Sequence, residues 1–316
     1  MSRSTHEPQC AESVLMIRPA CFGANPMTAA SNRFQTGQPA DSGREIQARA
    51  GAEFDALADA LSGAGIEICI CDDSPDPHKP DAVFPNNWVS FHADGTVVLY
   101  PMLAENRRHE RRQDVLESLA RQGGFRVART VDLTGHEREG QFLEGTGSLV
   151  LDRANRFGFA CLSPRTHLDP LGDFAQQLDY EIVTFEACDA EGFAIYHTNV
   201  LMCVGERFAV LCSASIRDEA RRMAVNRILE DSGHELIDIG FEQLAAFAGN
   251  MLELRSRTGG AHVVLSACAL DSLTHDQRSR LEKHAQLLAV PISTIEQYGG
   301  GSVRCMLAEI HLPRRS

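Results

Sequence analysis

Five times along the 316-residue chain, a loop turns into a short apolar strand through a small or polar residue. The segments read Pro85-Asn86-Asn87-Trp88-Val89, Glu144-Gly145-Thr146-Gly147-Ser148-Leu149, His197-Thr198-Asn199-Val200-Leu201, Gly249-Asn250-Met251-Leu252 and Val303-Arg304-Cys305-Met306-Leu307. With Asn87, Gly147, Asn199, Asn250 and Cys305 as anchors, the steps are 60, 52, 51 and 55 residues. A period of about 50 residues points to a radial or stacked α/β repeat. Equivalent loops of such a repeat converge on one end of its axis, so the five strand starts are expected to line a common pocket.

The pattern between the anchors supports this reading. Residues 14–18 read as a buried strand, and Ile46, Ala50, Phe54, Leu57 and Leu61 recur at helical spacing over 43–61. Strand pairs are expected at 88–91 with 96–100, 148–152 with 157–162, 200–204 with 208–212, and 251–254 with 263–266. Helices are expected over 107–122, 173–178, 216–232 and 276–288, the last followed by a strand over 292–295. A strand over 302–310 closes the chain. Residues 1–12 are polar and read as a disordered leader, leaving 13–316 as a single domain.

Composition removes several classes of function. A formal net charge of −13 argues against nucleic-acid backbones and anionic membrane surfaces. No apolar run approaches the roughly 20 residues that a membrane span needs. Ten cysteines without a C-x-x-C pair or a signal sequence read as reduced thiols in the cytoplasm. His109-Glu110 and His136-Glu137 begin like a zincin helix, but neither has a histidine four residues after the first. No metal is expected.

The pocket so predicted holds Cys305, His197, Glu144, Asn87, Asn199 and Asn250. Gly299-Gly300-Gly301 leads into Cys305, and three glycines let the backbone press against a ligand. A thiolate is a strong nucleophile when an imidazolium stands beside it, and the same histidine can then protonate a leaving group. A carboxylate at Glu144 would orient that ring or grip donors on the substrate.

These motifs resemble the guanidino-group modifying superfamily, which includes arginine deiminases, dimethylarginine dimethylaminohydrolases, succinylarginine dihydrolases and amidinotransferases. The likeness runs from Val14 to Pro313 and rests on Glu-Gly-x-Gly at Glu144–Gly147, His-x-Asn at His197–Asn199, and Gly-Gly-Gly-x-x-Arg-Cys-Met at Gly299–Met306. The segments from Met16 to Pro26 and from Phe84 to Trp88 look most like the citrulline-utilisation hydrolase branch.

The resemblance implies a pentein, a five-bladed α/β propeller of ββαβ modules with pseudo-five-fold symmetry, in which the N-terminal strand completes the last module. It implies Cys305 as nucleophile, His197 as general acid and base, and Glu144 as the pocket carboxylate. Substrate binding would fall to Asn87, Asn199, Asn250, Arg18 and Asn25. The implied activity is cysteine-dependent hydrolysis of a small amino acid at its ureido or guanidino carbon, with citrulline the leading substrate and no cofactor.

Deiminases of this superfamily commonly carry Asp where this chain has Asn87 and Asn199. Asn both accepts and donates, which suits a neutral ureido group, whereas paired carboxylates suit a guanidinium. Hydrolysis of arginine or methylarginine, amidino transfer and a non-catalytic binding role stay open at this point, as does assembly into homo-oligomers.

Overall fold

A computed structural model of the chain describes residues 7–36, 43–121 and 123–315. Five three-stranded sheets lie among them. β1 (Ser13–Arg18) and β2 (Glu67–Asp72) begin the first. β3 (Val89–Phe91), β4 (Thr96–Leu99) and β5 (Arg129–Asp132) form the second, and β6 (Leu149–Asp152), β7 (Phe157–Cys161) and β8 (Glu181–Phe185) the third. β9 (Met202–Val204), β10 (Phe208–Leu211) and β11 (Glu235–Asp238) form the fourth. The fifth comprises β12 (Leu252–Arg255), β13 (Ala261–Ser266) and β14 (Gln286–Val290). β15 (Ala308–Glu309) returns to complete the first sheet.

The second to fifth sheets are built alike: the first two strands pair antiparallel, and the second pairs parallel with the third, as β1 does with β2. A parallel pair needs a crossover, and a helix supplies it each time. The crossover helices are α1 (Gly43–Gly63), α2 (Gln113–Arg121), α3 (Leu168–Leu178), α4 (Glu219–Asp231) and α5 (His275–Glu282). The helical spacing in the sequence is the buried stripe of α1, which includes Ile46, Ala50, Phe54, Leu57 and Leu61. Side-chain caps fix the starts of α4 and α5: Asp218 accepts from the Arg221 amide, and Thr274 from the Gln277 amide.

The first sheet joins the two ends of the repeat. β1 pairs parallel with β2 and antiparallel with β15, in the register Val14 to Glu309 and Leu15 to Ala308. This is the ββαβ ring expected of a pentein, with its N-terminal strand inside the last module. The first strands of the modules form the inner wall: β15 packs on β3, β6 on β9, and β9 on β12.

Several expected elements fall elsewhere. The helix expected over 107–122 is broken: a 3₁₀ segment, Glu105–Glu110, precedes α2. That break carries Arg107 off the crossover helix. The helix expected over 276–288 stops at Glu282, and Gln286–Val290 pairs with β13 instead. The strand expected over 292–295 is the helix α6 (Ser293–Gly299), which buries Ile295 and Tyr298 at a spacing of three. The strand expected over 302–310 is a 3₁₀ turn, Val303–Met306, followed by the two-residue β15.

The disordered leader expected over 1–12 does not reach residue 12, and its first six residues lie outside the described range. Glu7, Gln9, Cys10 and Ala11 are buried. Glu7 accepts from Arg153 at 2.8 Å, from Arg156 at 2.9 Å and from the Tyr180 hydroxyl at 2.9 Å. Arg153 in turn stands 3.8 Å from Glu309 of β15, which Arg304 holds at 2.7 Å. This ionic network lies past the far ends of the inner strands.

Burial alone would raise the Glu7 carboxyl, but Arg153 and the hydrogen bond to His92 hold it well below the usual carboxylate range. A depressed folded-state value means that its stabilisation is present above the unfolded carboxylate pKa and lost as pH falls. Replacing one member of a buried pair leaves the other unmatched, at about 3–5 kcal/mol. Glu7→Gln is therefore expected to lower the unfolding free energy from urea titration by that order at pH 7, and with it the midpoint, with the gap to the native protein closing in acid. Equal midpoints at pH 7 would remove Glu7 from the stability of the ring.

Candidate active site

Each inner strand begins just after a polar or small anchor, and four of the five anchors ride on a single helical turn. These turns are Pro85–Asn87, Gly145–Ser148, Thr198–Leu201 and Val303–Met306. A one-turn helix before a strand aims its side chains toward the axis rather than along the sheet. Asn250 follows the short helix Phe241–Ala245 and precedes β12.

Cys305 is 3% exposed on its 3₁₀ turn. Ahead of it, α6 ends where Gly300 takes a left-handed φ of 62°. A Cβ at Gly300 would come within 2.6 Å of the Asn32 amide and of the Gln35 nitrogen, so the close approach of the two loops needs glycine. The Asn250 Nδ2 donates to the backbone oxygen of Asn199 at 2.8 Å and lies 3.3 Å from the Cys305 sulfur. The Asn199 Nδ2 lies 3.4 Å from the same sulfur.

His197 and Glu144 are both buried, with Nε2 of the ring 2.8 Å from Oε2 of the carboxylate. Burial pushes the imidazole down to about 4, against the upward pull of Glu144. The ring is thus neutral near pH 7, and the imidazolium expected beside the thiol is not its resting state. Burial would raise the Glu144 carboxyl, yet Arg165, with His197 and Arg107, holds it well below its ordinary range. An ionised carboxylate only accepts, so Nε2 carries the ring proton and Nδ1 is left as the acceptor. Nδ1 faces Gly147: a Cβ there would fall 2.8 Å from it and 2.4 Å from the Asn87 Nδ2. Only glycine lets those two groups stand together.

The orientation of the Asn87 amide is set by Arg107, which donates to its Oδ1 at 3.0 Å. Its Nδ2 is buried and finds no acceptor among the described residues. Arg107 also grips Glu110 through two hydrogen bonds of 2.9 Å and stands 3.6 Å from Asp81. Arg165 stands 3.4 Å from Glu144 and donates to the Ser31 hydroxyl at 2.7 Å and the Thr28 carbonyl at 3.2 Å.

Asp81, Asn87, Arg107, Arg165, His197 and Cys305 share one small cavity, whose free space is about 10 Å³. That is room for about one water. The loop over 22–36 closes over it: Asn32 donates to the Gly299 carbonyl at 3.1 Å, and the Thr36 amide to the Gln297 carbonyl at 2.9 Å.

The structure therefore brings together Cys305, His197, Glu144, Asn87, Asn199 and Asn250. It does not bring in Arg18, which is half exposed at the end of β1 and pairs with Asp55 of α1 at 2.8 Å. A strand end on the outer surface of a ring cannot reach its axis. Asn25 is fully buried, but it stands one layer back and donates to Asp81 at 2.7 Å. Sequence reasoning missed Asp81, Arg107 and Arg165. Arg107 was hidden by the helical pattern around it. Arg165 sits in a turn after β7 with no motif of its own, and the only signal was a cation in a loop of a strongly acidic chain.

Cys10, Glu206 and Glu253 place ligand-type atoms within 4.8 Å of one another, and none of the three lines this cavity. No helix among the described residues is long and apolar enough to cross a membrane.

Among solved structures, ArgZ, an arginine dihydrolase from the ornithine-ammonia cycle in cyanobacteria, is similar to this chain. Its TM-score is 0.73 at 17% identity, covering 96% of this chain and 41% of that one. AgrE, as a variant bound to L-arginine, gives 0.72 at 19% identity, with 96% and 41% covered. A dimethylarginine dimethylaminohydrolase bearing an adduct with S-methyl-L-thiocitrulline gives 0.65 at 15% identity, with 95% and 100% covered. The chain spans less than half of the ArgZ and AgrE chains, and at these identities the likeness is one of fold. No curated protein matches the chain by sequence. A family model described as N,N dimethylarginine dimethylhydrolase, eukaryotic, matches residues 18–312. The chain belongs to that family, and with it to the guanidino-group modifying superfamily of pentein proteins.

Proposed function

We propose that the protein is a cysteine-dependent hydrolase that converts citrulline to ornithine, carbon dioxide and ammonia through an S-carbamoyl intermediate. The observation that carries this reading is the buried Asn87 Nδ2, a donor without an acceptor, held beside Nδ1 of His197. A ureido group offers a carbonyl oxygen to that donor. A guanidinium offers donors only, and would leave Asn87 unmatched in a dry site at a cost of about 1–3 kcal/mol.

The charge of Glu144 agrees: it is already matched by Arg165, and a buried guanidinium would need a carboxylate not yet committed to an arginine.

In this mechanism the thiol of Cys305 gives its proton to Nδ1 of His197 as sulfur attacks the ureido carbon. The imidazolium, steadied by Glu144, passes that proton to the side-chain nitrogen of ornithine as the C–N bond breaks. Water then attacks the S-carbamoyl carbon while His197 takes up its proton. Carbamate leaves, Cys305 regains its proton, and carbamate decays to carbon dioxide and ammonia. Arg107 and Arg165 supply cations for the substrate carboxylate. Ten free cysteines fit the reducing cytoplasm as the place of action.

One observation favours an arginine-type substrate as the second reading. The Asp81 Oδ1 is buried without a hydrogen-bond partner. A guanidino carbon attacked by the same machinery would give an amidino thioester.

Three measurements test the proposal. Cys305→Ser is expected to lose turnover with an unchanged melting temperature, and a haloacetamidine to label Cys305 ahead of the nine other thiols. Faster labelling of the exposed Cys268 would unseat Cys305.

In side-by-side product analysis, kcat/KM for citrulline is expected to exceed that for arginine and methylated arginines. Asn87→Asp should narrow the ratio about ten-fold or more, because a hydrogen bond to a charged group is worth about 1.5–3 kcal/mol. Asn199→Asp is a poorer probe, since Asn199 faces the sulfur itself. Ornithine release from citrulline no faster than arginine deimination would defeat the citrulline reading.

The loop over 22–36 is expected to open for substrate entry, since the closed cavity is too small for an amino acid. Saturating substrate should slow proteolytic cutting within it. Cutting at an unchanged rate would end its role as a lid.

A further inference from the structure

Asn250 was expected to hold substrate, but its side chain is turned to the nucleophile. It is fully buried on the turn before β12, and its orientation is not a free choice. A backbone carbonyl can only accept, so the atom 2.8 Å from the Asn199 oxygen must be Nδ2. That nitrogen has two hydrogens. One is used on the carbonyl, and the other is available to the Cys305 sulfur 3.3 Å away. Asn199, whose backbone Asn250 thereby fastens, presents its own Nδ2 to the same sulfur at 3.4 Å.

We infer that Asn250 and Asn199 form a two-amide cradle for the Cys305 thiolate. This rests on Cys305 as the nucleophile, not on which substrate it attacks.

The geometry suits the anion better than the thiol. A thiolate accepts from both amides, and hydrogen bonds to an ionised group are about twice as strong as neutral ones. A neutral thiol has one proton to give, and the Asn250 Oδ1 stands 3.7 Å from the sulfur. A site whose histidine rests uncharged has particular need of such donors. During the reaction sulfur is anionic when the carbamoyl group leaves it, and the cradle would receive that charge without rearrangement.

Other groups also set the field at the sulfur. Asp81 faces the cavity from the connection before β3, Arg107 from the 3₁₀ segment after β4, Arg165 from the turn after β7, and Tyr196 and His197 from the turn before β9. Glu144 lies behind His197. Arg304, on the same turn as Cys305, is held away by Glu309. None of these is altered by replacing an asparagine, so the effect of the amides can be read by difference.

The experiment is the rate of Cys305 alkylation by iodoacetamide from pH 5 to 10, followed by mass spectrometry of the Cys305 peptide. The native protein is compared with Asn199→Ala, Asn250→Ala and Asn250→Asp. Each alanine variant is expected to shift the profile toward alkaline pH and to lower kcat at pH 7 at least ten-fold, with partial recovery in alkaline buffer.

Asn250→Asp keeps the shape but replaces the donor with an acceptor, and is expected to shift the profile furthest. It keeps the proposal testable if the alanine variants do not fold. Profiles that superimpose on the native one, whatever happens to kcat, would overturn the cradle. Because alkylation needs no substrate, a native protein inactive on citrulline would refute the substrate assignment while leaving this measurement intact.

Discussion

Glu144 carries a full negative charge with no contact with water, and the rest of the site is arranged around that fact. An isolated buried carboxylate would take up a proton. Arg165 and Arg107 prevent this, and the Leu103 amide donates to its second oxygen at 3.1 Å. Because Glu144 stays ionised, it fixes the tautomer of His197. The tautomer in turn leaves the ring nitrogen that faces Gly147 as an acceptor. The absence of a side chain at Gly147 then decides what can stand next to that nitrogen. Arginine, carboxylate, imidazole and amide form one chain of dependencies, and each link is a matter of donors and acceptors in a place without solvent.

The two ends of the ring divide the work. At one end, short helical turns before the inner strands give close approach, small residues and a cavity. At the other, Glu7, Arg153, Glu309 and Arg304 tie the strand ends together with buried charges. Such pairs add little over well-packed apolar residues, but they penalise any arrangement that separates the partners. The reactive end can therefore carry unmatched polar atoms, such as those of Asn87, Asn199 and Asp81, on a frame held elsewhere.

The fold was legible because its signal is a period. The five anchors recur whatever the individual helices do, and all five fall just before an inner strand. Local detail was less legible. The sequence from 276 to 288 has the composition of one helix, and only pairing with β13 turns its second half into a strand. Val303–Met306 has strand propensity but is coiled into a 3₁₀ turn by the packing of the glycine loop. In the site, residues at the anchors were found because the repeat marks them. Arg107 and Arg165 come from connections outside the repeat, and charge in a loop carries no mark of where it points. Asn250 was expected to bind substrate, and its amide nitrogen stands 3.3 Å from the Cys305 sulfur, since spacing gives position and not direction.

The pairing of β1 with β15 has a consequence for how the molecule comes into being. The sheet that closes the ring joins the first strand of the described residues with the last. The other four modules each complete a sheet from neighbouring stretches of chain, and can be assembled while translation continues. The fifth waits for β15 and, a few residues ahead of it, for Cys305. A ribosome-bound chain thus holds His197, Glu144 and the asparagines long before it holds Cys305, the proposed nucleophile. Chemical competence arrives with the same strand that finishes the architecture, so an incomplete ring has no thiol at its centre to misuse.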